Sequence, residues 1–177
     1  MRIATDELES LQSRLVAPVG QSTQVEEAPI LVASLVAGLV NPSNIRAAVT
    51  TYSGGPPSVW TVHAITASVL AYVEVDFDEQ LYTGEVERDV PKYRGRYPSA
   101  DVRAAWVRPL SRISEMTITR SAPFSDTGQW SVAALVRFGG EDQPVSLPDQ
   151  CSIYSDEQWA RTGDLLRVIR DAIGSPQ

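Results

Sequence analysis

One histidine and one cysteine are the side chains best suited to nucleophilic catalysis in this chain of 177 residues. A Ser-His or Cys-His pair needs a histidine as its base, and every such pair here would have to use His63. His63 lies within an apolar, β-rich stretch and, if side chains alternate, on the face opposite Trp60 and Val62. Cys151 follows Pro148 in a loop, and no serine has Gly-x-Ser-x-Gly neighbours. The sequence favours a structural or surface histidine and predicts no catalytic residue; a hydrolase or transferase that uses His63 with a carboxylate is the open alternative.

Carboxylates recur at every second position near the end of the same stretch, at Glu74, Asp76 and Asp78. Oxygen ligands suit hard cations such as Ca²⁺ and Mg²⁺. However, side chains on one face of a strand lie roughly 6.6 Å apart, and no glycine-containing ligand loop accompanies them. One histidine and one cysteine are too few for an ordinary zinc site, and the Gly-Gly-Pro-Pro segment at 54–57 lacks the lysine of a phosphate-binding loop. We interpret the acids as a solvated face or as partners of arginines in the next loop, and predict neither metal nor cofactor.

Basic and aromatic residues alternate in the segment "DVPKYRGRYPS", which is the one basic concentration in the chain. The residues that form it are Lys92, Tyr93, Arg94, Arg96 and Tyr97. Such a pattern suits contact with phosphate together with stacking. Three acids shortly before these five residues, Glu85, Glu87 and Asp89, cancel much of their field, so an ordinary charged loop is the competing interpretation. These five residues are the predicted site for a small anionic ligand or a protein partner.

The composition limits the classes of partner. The net charge of −7 and the pI of about 4.7 disfavour nucleic acid and anionic membrane surfaces. A single cysteine fits a reducing compartment, and the acidic N-terminus does not read as a signal peptide, so a cytoplasmic location is expected. The most apolar long stretch, residues 60–77, contains a histidine and two acids, whose burial in a bilayer would cost several kcal/mol each. We therefore predict no integral membrane segment.

The same stretch predicts an antiparallel hairpin of strands at about 58–66 and 69–77, because its second half alternates apolar and acidic residues. Two helices are predicted before it, at about 5–16 and 28–40, with a polar linker over 19–24. The second helix is apolar almost all round, so it should be buried on several sides or shared with a partner or a second copy. Residues 45–52 favour a strand, with a helical extension as the alternative.

Residues 78–100 show no sustained pattern and are predicted to be one long loop. Further strands are predicted at about 102–108, 113–120, 129–138 and 143–148, followed by an amphipathic helix at about 156–173. The four tryptophans, at positions 60, 106, 130 and 159, fall one to an element. This spacing is typical of a shared core and does not indicate a binding platform.

Seven antiparallel strands closed by a terminal helix resemble the pleckstrin-homology-like (PH-like) architecture. The piece "AWVRPLSRISEMTITR" is similar to a strand–corner–strand of bacterial PH-like and GRAM-like domains, and "VHAITASVLAYVEVD" resembles their hairpin, with Thr66 and Leu70 at its turn. The sequence departs from that pattern at Val69, where such domains often have a basic residue, and this weakens the transfer of phosphate binding. The resemblance covers about residues 45–174.

The expected fold is α+β, a PH-like antiparallel barrel or sandwich over residues 43–177 with a helical extension over residues 1–42. The resemblance implies a scaffold that binds peptides, proteins or lipids, and it seldom implies an enzyme. We therefore expect a non-enzymatic, cytoplasmic protein-interaction module that binds a protein partner or itself. A binder of small anions or lipid phosphates through segment 92–97 is the alternative.

Overall fold

The structure is a computed structural model that describes residues 4–19, 25–93, 97–123, 129–150 and 156–174, and all of their side chains except those of residues 90–93. Its four helices are α1 (Thr5–Gln12), α2 (Ile30–Leu39), α3 (Gly84–Tyr93) and α4 (Asp156–Gly174). Its nine strands are β1 (Val16–Pro18), β2 (Val25–Glu27), β3 (Ala47–Ser53), β4 (Ser58–Ile65), β5 (Val69–Phe77), β6 (Ala100–Pro109), β7 (Ile113–Pro123), β8 (Trp130–Phe138) and β9 (Val145–Ser146).

The strands form three antiparallel sheets, of order β1-β2, β3-β4-β5-β6 and β7-β8-β9. The α+β class and the antiparallel strands are therefore confirmed. Within the described ranges the sheets stay open, so a sandwich forms and a closed barrel does not. The four-stranded sheet is the central layer, and one register shift interrupts it between Glu74 and Val75 of β5.

The predicted hairpin over 58–77 is confirmed, and its turn has a side-chain cause. No glycine is present at 66–68, but Oγ1 of Thr66 accepts hydrogen bonds from the backbone N–H groups of Ser68 and Val69 at 3.2 and 3.1 Å. This local bond replaces the conformational freedom that a glycine would supply. Trp60 and Val62 then face one side of the sheet and Ile65 faces the other.

Two hydrophobic cores lie on the two faces of the central sheet. The first core packs α1, α2 and β1 against the face that carries Trp60, Val62 and Val73. The apolar helix α2 is thus buried against its own chain through Val32, Val36 and neighbouring alanines. Because the described part of residues 1–42 shares this core with the central sheet, the N-terminal helices are an added layer of the sandwich; the division into two domains stays a prediction.

The second core lies between the other face of the central sheet, the β7-β8-β9 sheet and α4. It contains Leu70 of β5, Val136 and Phe138 of β8, and Leu165 and Ile169 of α4. The C-terminal helix predicted at 156–173 is confirmed, and its apolar side covers this core.

The prediction of one long loop over residues 78–100 is wrong, because α3 forms inside it. Oγ1 of Thr83 accepts a hydrogen bond from the N–H of Val86 at 3.3 Å, and Glu85 and Glu87 lie in the first turn. Both are favourable at a helix N-terminus. The helix lacks an apolar stripe long enough to be recognised, and contacts with β2 and α2 hold it instead.

The bounds of two elements in the N-terminal third differ from the predictions. Helix α1 ends at Gln12 because residues 16–18 pair as β1 with β2, two short strands that were not predicted. Strand β3 begins at Ala47 and extends to Ser53, which confirms a strand where a helix was the alternative. Residues 20–24 of the predicted linker and Cys151 lie outside the described residues.

Candidate functional site

Helix α4 carries two neighbouring stripes of side chains at helical spacing. The core stripe, which faces the second core, consists of Gln158, Thr162, Leu165, Ile169 and Ala172. The groove stripe lies one residue further along and consists of Trp159, Gly163, Leu166, Arg170 and Ile173. Steps of four and three residues keep each stripe on a single side of the helix. Leu166 also belongs to the second core, whereas Trp159 and Ile173 extend the apolar surface of the helix beyond that core.

The groove stripe forms one wall of a concave region of about 520 Å³, which we call the β7–α4 groove. The opposite wall is formed by Met116 and Ile118 of β7 with Trp130 and Val132 of β8. Ile118 is 60% exposed, Trp130 is 62% exposed and Ile173 is 39% exposed. Large apolar side chains that lie together in solvent mark binding surfaces more often than scattered ones do.

Polar contacts beneath the groove set the distance between its walls. The amide of Gln150 accepts a hydrogen bond from the N–H of Val132 at 3.2 Å and donates one to the carbonyl of Trp159 at 2.9 Å. The indole N–H of Trp159 in turn donates to Oγ of Ser131 at 2.9 Å. A Cβ at Gly163 would lie 3.4 Å from Nε2 of Gln150, which is ordinary van der Waals contact with this bridge. The floor of the groove is thus fixed before any ligand arrives.

The two charged residues in the described lining of the groove are both arginines. Arg167 pairs with Asp164 at 2.6 Å and Arg170 pairs with Asp171 at 2.7 Å, and all four side chains are exposed. Neither aspartate is among the lining residues. The interior surface of the groove is therefore apolar with a basic rim, although the whole chain is acidic.

The environment of His63 suits a structural role. Its side chain is on the face opposite Trp60 and Val62, as predicted, and is 5% exposed. Nε2 lies 3.0 Å from the carbonyl oxygen of Ser146. Because a carbonyl only accepts hydrogen bonds, Nε2 carries the proton and Nδ1 is the unprotonated nitrogen. Nδ1 is buried and has no hydrogen-bond partner among the described residues.

Burial lowers the pKa of His63 to about 4, although the bond to the Ser146 carbonyl opposes this shift. The ring is therefore neutral at pH 7. It packs edge-on against Tyr72 at a centroid distance of 4.9 Å. The hydroxyl of Tyr72 in turn donates a short hydrogen bond to the carboxylate of Glu74. Burial, and then Glu74, raise the pKa of Tyr72.

Aromatic contacts continue from Tyr72 to the second sheet. Tyr72 stacks on Trp106 at 5.2 Å, and Trp106 meets Phe138 edge-on at 6.3 Å. The guanidinium of Arg108 lies 4.0 Å from the Trp106 ring centroid and forms an ion pair with Glu141 at 2.7 Å. Stacking and cation–π contacts of this kind stabilise the packing of two layers. These contacts hold the central sheet and the β7-β8-β9 sheet together.

The carboxylates of β5 pair with an arginine. Asp76 forms a short ion pair with Arg103 of β6, and Glu74 lies 3.9 Å from the same guanidinium. The predicted pairing with arginine is thus found, but the arginine comes from β6 and not from the segment before it. Within the described ranges no group of three or more His, Cys, Asp or Glu side chains could hold a metal ion.

The predicted basic–aromatic site is only partly within the described residues. Lys92 and Tyr93 form the last turn of α3, with side chains outside the description, and Arg94 and Arg96 lie outside it altogether. Tyr97 is 57% exposed and lines a second concave region of about 630 Å³, which we call the Tyr97 cavity. The assignment of these five residues to a binding site stays a prediction.

The Tyr97 cavity has an acidic lining. Glu9, Glu27 and Glu87 contribute to it, with Arg88 bound to Glu27 at 2.8 Å. Glu87 accepts a hydrogen bond from the N–H of Ile30 at 2.6 Å, so it caps the first turn of α2 from another element. Burial, the largest influence, raises the pKa of Glu87. Such a lining favours a cation over an anion.

The chain matches no protein-family model, no curated protein and no solved structure. None of the helices among the described residues is both long and apolar enough to cross a bilayer.

The β7–α4 groove was missed because the tryptophans were interpreted as core residues. That interpretation holds for Trp60, which is fully buried, but it is wrong for Trp130. The signal in the sequence was the width of the apolar surface of α4, since positions 165 and 166 are both leucine and both face apolar neighbours. A helix that packs against a single core needs a narrower apolar stripe than the one on α4.

Proposed function

We propose that this protein is a non-enzymatic binding module of PH-like architecture that holds a segment of a partner protein in the β7–α4 groove. The observation that carries the proposal is the exposure of Ile118 and Trp130 side by side with the groove stripe of α4. Tryptophan is among the residues that contribute most to binding energy at protein interfaces. Burying these side chains under a partner would remove apolar surface from water.

The order of elements supports the PH-like part of the proposal. After the N-terminal layer come four strands in one sheet, three strands in a second sheet and a single C-terminal helix against the core between them. This is the order that the resemblance in Sequence analysis implies. The proposed module acts in the cytoplasm, which the single cysteine supports.

The state of His63 supports binding over catalysis. A general base needs a nitrogen that can reach the substrate and a pKa near the working pH. One nitrogen of His63 is engaged with Ser146, the other is buried, and the pKa is lowered to about 4. The hydrolase alternative would require this ring to leave its place in the packing.

The anionic-ligand alternative depends on Lys92, Arg94 and Arg96. The described surface next to them is the acidic Tyr97 cavity, which makes the apolar groove the better-supported site. Reversal of all three charges tests the alternative: loss of inorganic phosphate binding with unchanged capture of a protein partner would establish a separate anion site.

The groove is tested by substituting Trp130→Ser and Ile118→Ser in the full-length protein and comparing the proteins cross-linked to each variant in cells. The matched control is Val102→Ser, because Val102 is also an exposed apolar strand residue but lies outside the groove. We expect the same partner with wild type and with Val102→Ser, and its loss in the two groove variants. Equal recovery by all four proteins, or recovery of no partner by wild type, would refute the proposal.

A further inference from the structure

The rim of the β7–α4 groove indicates the chemistry of the partner. We propose that the partner segment carries an acidic side chain next to its apolar side chains and places this carboxylate against Arg167 and Arg170. This inference rests on the proposed function, since it assigns a ligand class to the same groove.

The charged residues of the groove lining differ in sign from the net charge of the chain. The chain has 22 acidic and 15 basic residues, so a surface chosen at random would be acidic. Among the described residues, the groove lining instead contains two arginines and no carboxylate. A segment that enters the groove meets guanidinium groups and apolar side chains, and this combination is complementary to an acidic, apolar segment.

The two arginines lie close together on α4. Residues three apart on a helix are neighbours, so Arg167 and Arg170 lie side by side on the face of α4 that borders Leu166 and Ile173. Guanidinium groups bind carboxylates with directed, charge-assisted hydrogen bonds. A carboxylate one or two residues from an apolar anchor would therefore reach a guanidinium while the anchor fills the groove.

The ion pairs that the two arginines already form are weak enough for a carboxylate of the partner to replace them. Both arginines already pair with aspartates on α4, but these pairs are exposed and join residues three apart and one apart in sequence. Surface ion pairs of this kind contribute little to stability. An incoming carboxylate in a partly desolvated groove can replace them at little cost, and the aspartates remain hydrated outside the lining.

The experiment selects binders of the full-length protein from a phage library of random 12-residue peptides, without assuming a ligand. Enriched peptides are synthesised with a fluorophore, each with a partner peptide in which Asp and Glu are replaced by Asn and Gln. Fluorescence anisotropy then gives their affinities at low and high salt. The protein variants are Trp130→Ser, the double variant Arg167→Glu/Arg170→Glu, its charge-preserving counterpart Arg167→Lys/Arg170→Lys, and the control Arg137→Glu. Arg137 is an exposed arginine of β8 that does not line the groove.

We expect enrichment of peptides with Asp or Glu beside Leu, Ile, Val or Phe, and binding that is lost in Trp130→Ser. Neutralising the peptide acids, or reversing both arginines, should weaken binding roughly tenfold, and the effect should shrink at high salt. The lysine variant should bind more weakly than wild type but more tightly than the glutamate variant, because lysine keeps the charge and loses the directed guanidinium bonds. Arg137→Glu should bind nearly as wild type does. Groove-dependent peptides without an acidic preference would overturn this inference and leave the proposed function standing. No enrichment, or peptides that still bind Trp130→Ser, would overturn both.

Discussion

The indole nitrogen of Trp159 donates a hydrogen bond to Oγ of Ser131 across 2.9 Å and so joins α4 to β8 beneath the β7–α4 groove. Ser131 is buried, and the amide of Gln150 connects the same two elements one residue away. A polar clamp next to exposed apolar walls keeps the groove at a constant width. A surface that is already ordered loses less entropy if a ligand binds to it.

Removing the acceptor of this bond should destabilise the protein. In Ser131→Ala the indole N–H loses its partner in a half-buried place, and we expect a loss of about 1–2 kcal/mol in the free energy of unfolding. In a Trp159→Phe background the same serine change should cost less, with a coupling energy of about 1 kcal/mol. Urea unfolding of the four proteins gives the cycle; strictly additive effects would show that the bond contributes nothing to stability.

Gly84 should tolerate no side chain. A Cβ there would lie 2.7 Å from Nε2 of Gln12 and 3.0 Å from the carbonyl oxygen of Ala28, two atoms that bond to each other. Gly84→Ala should therefore cost about 1–3 kcal/mol through overpacking.

Gly38→Ala is the matched control for this substitution. Gly38 lies in α2 with open space around the new methyl group, so alanine should be neutral or stabilise by up to about 1 kcal/mol. Thermal unfolding distinguishes the two. Equal melting temperatures would mean that α3 does not approach α1 and β2 as closely as described.

His63 is the single histidine of the chain, so the effect of its protonation on the free energy of unfolding can be measured separately. The folded-state pKa of His63 is about 4, below the usual 6.5, so protons bind more readily to the unfolded chain. Stability is therefore complete above pH 6.5 and falls as the pH drops towards 4, by about 3 kcal/mol in total.

His63→Gln removes this titration while keeping a side-chain donor, so the stability difference between wild type and variant should change in favour of the variant as the pH falls through that window. NMR provides an independent check, because the chain has one imidazole Cε1–H signal. A midpoint near 6.5 for that signal in the folded protein would contradict the buried, neutral ring.

Glu87 should show the opposite dependence on pH. Its pKa is raised by burial, so the folded state holds the proton more tightly, and stability falls as the pH rises from the usual value for glutamate through the raised one. Glu87→Gln keeps an oxygen that can accept from the N–H of Ile30 and removes the charge. We expect it to match or exceed wild type in melting temperature at pH 7–8.

Glu87→Ala removes the acceptor as well, and its expected cost is about 1 kcal/mol because the first turn of α2 loses its cap. Circular dichroism melts between pH 4 and 8 compare the three proteins. A glutamine variant as unstable as the alanine variant would show that the charge itself is required.

Much of the fold was predictable because it depends on patterns among residues that are close together in the sequence. The β4–β5 hairpin followed from the alternation that ends at Phe77, and α4 from its helical spacing and its acidic first turn. In both cases the side chains that decide the structure lie within four residues of one another. Helix α3 had such signals only at its start, in Thr83 and the acids after it.

By itself the sequence determined the α+β class, the order of the main strands and the apolar character of α2 and α4. The tertiary structure alone decided which apolar surfaces meet. Nothing within a few residues of Trp130 distinguishes it from Trp60, yet one lies in a groove and the other in a core. Likewise His63 is held by Ser146, 83 residues away, and Ile30 by Glu87, 57 residues away. Exposure depends on the packing of whole layers, and a local pattern contains no information about how far the neighbouring layer extends.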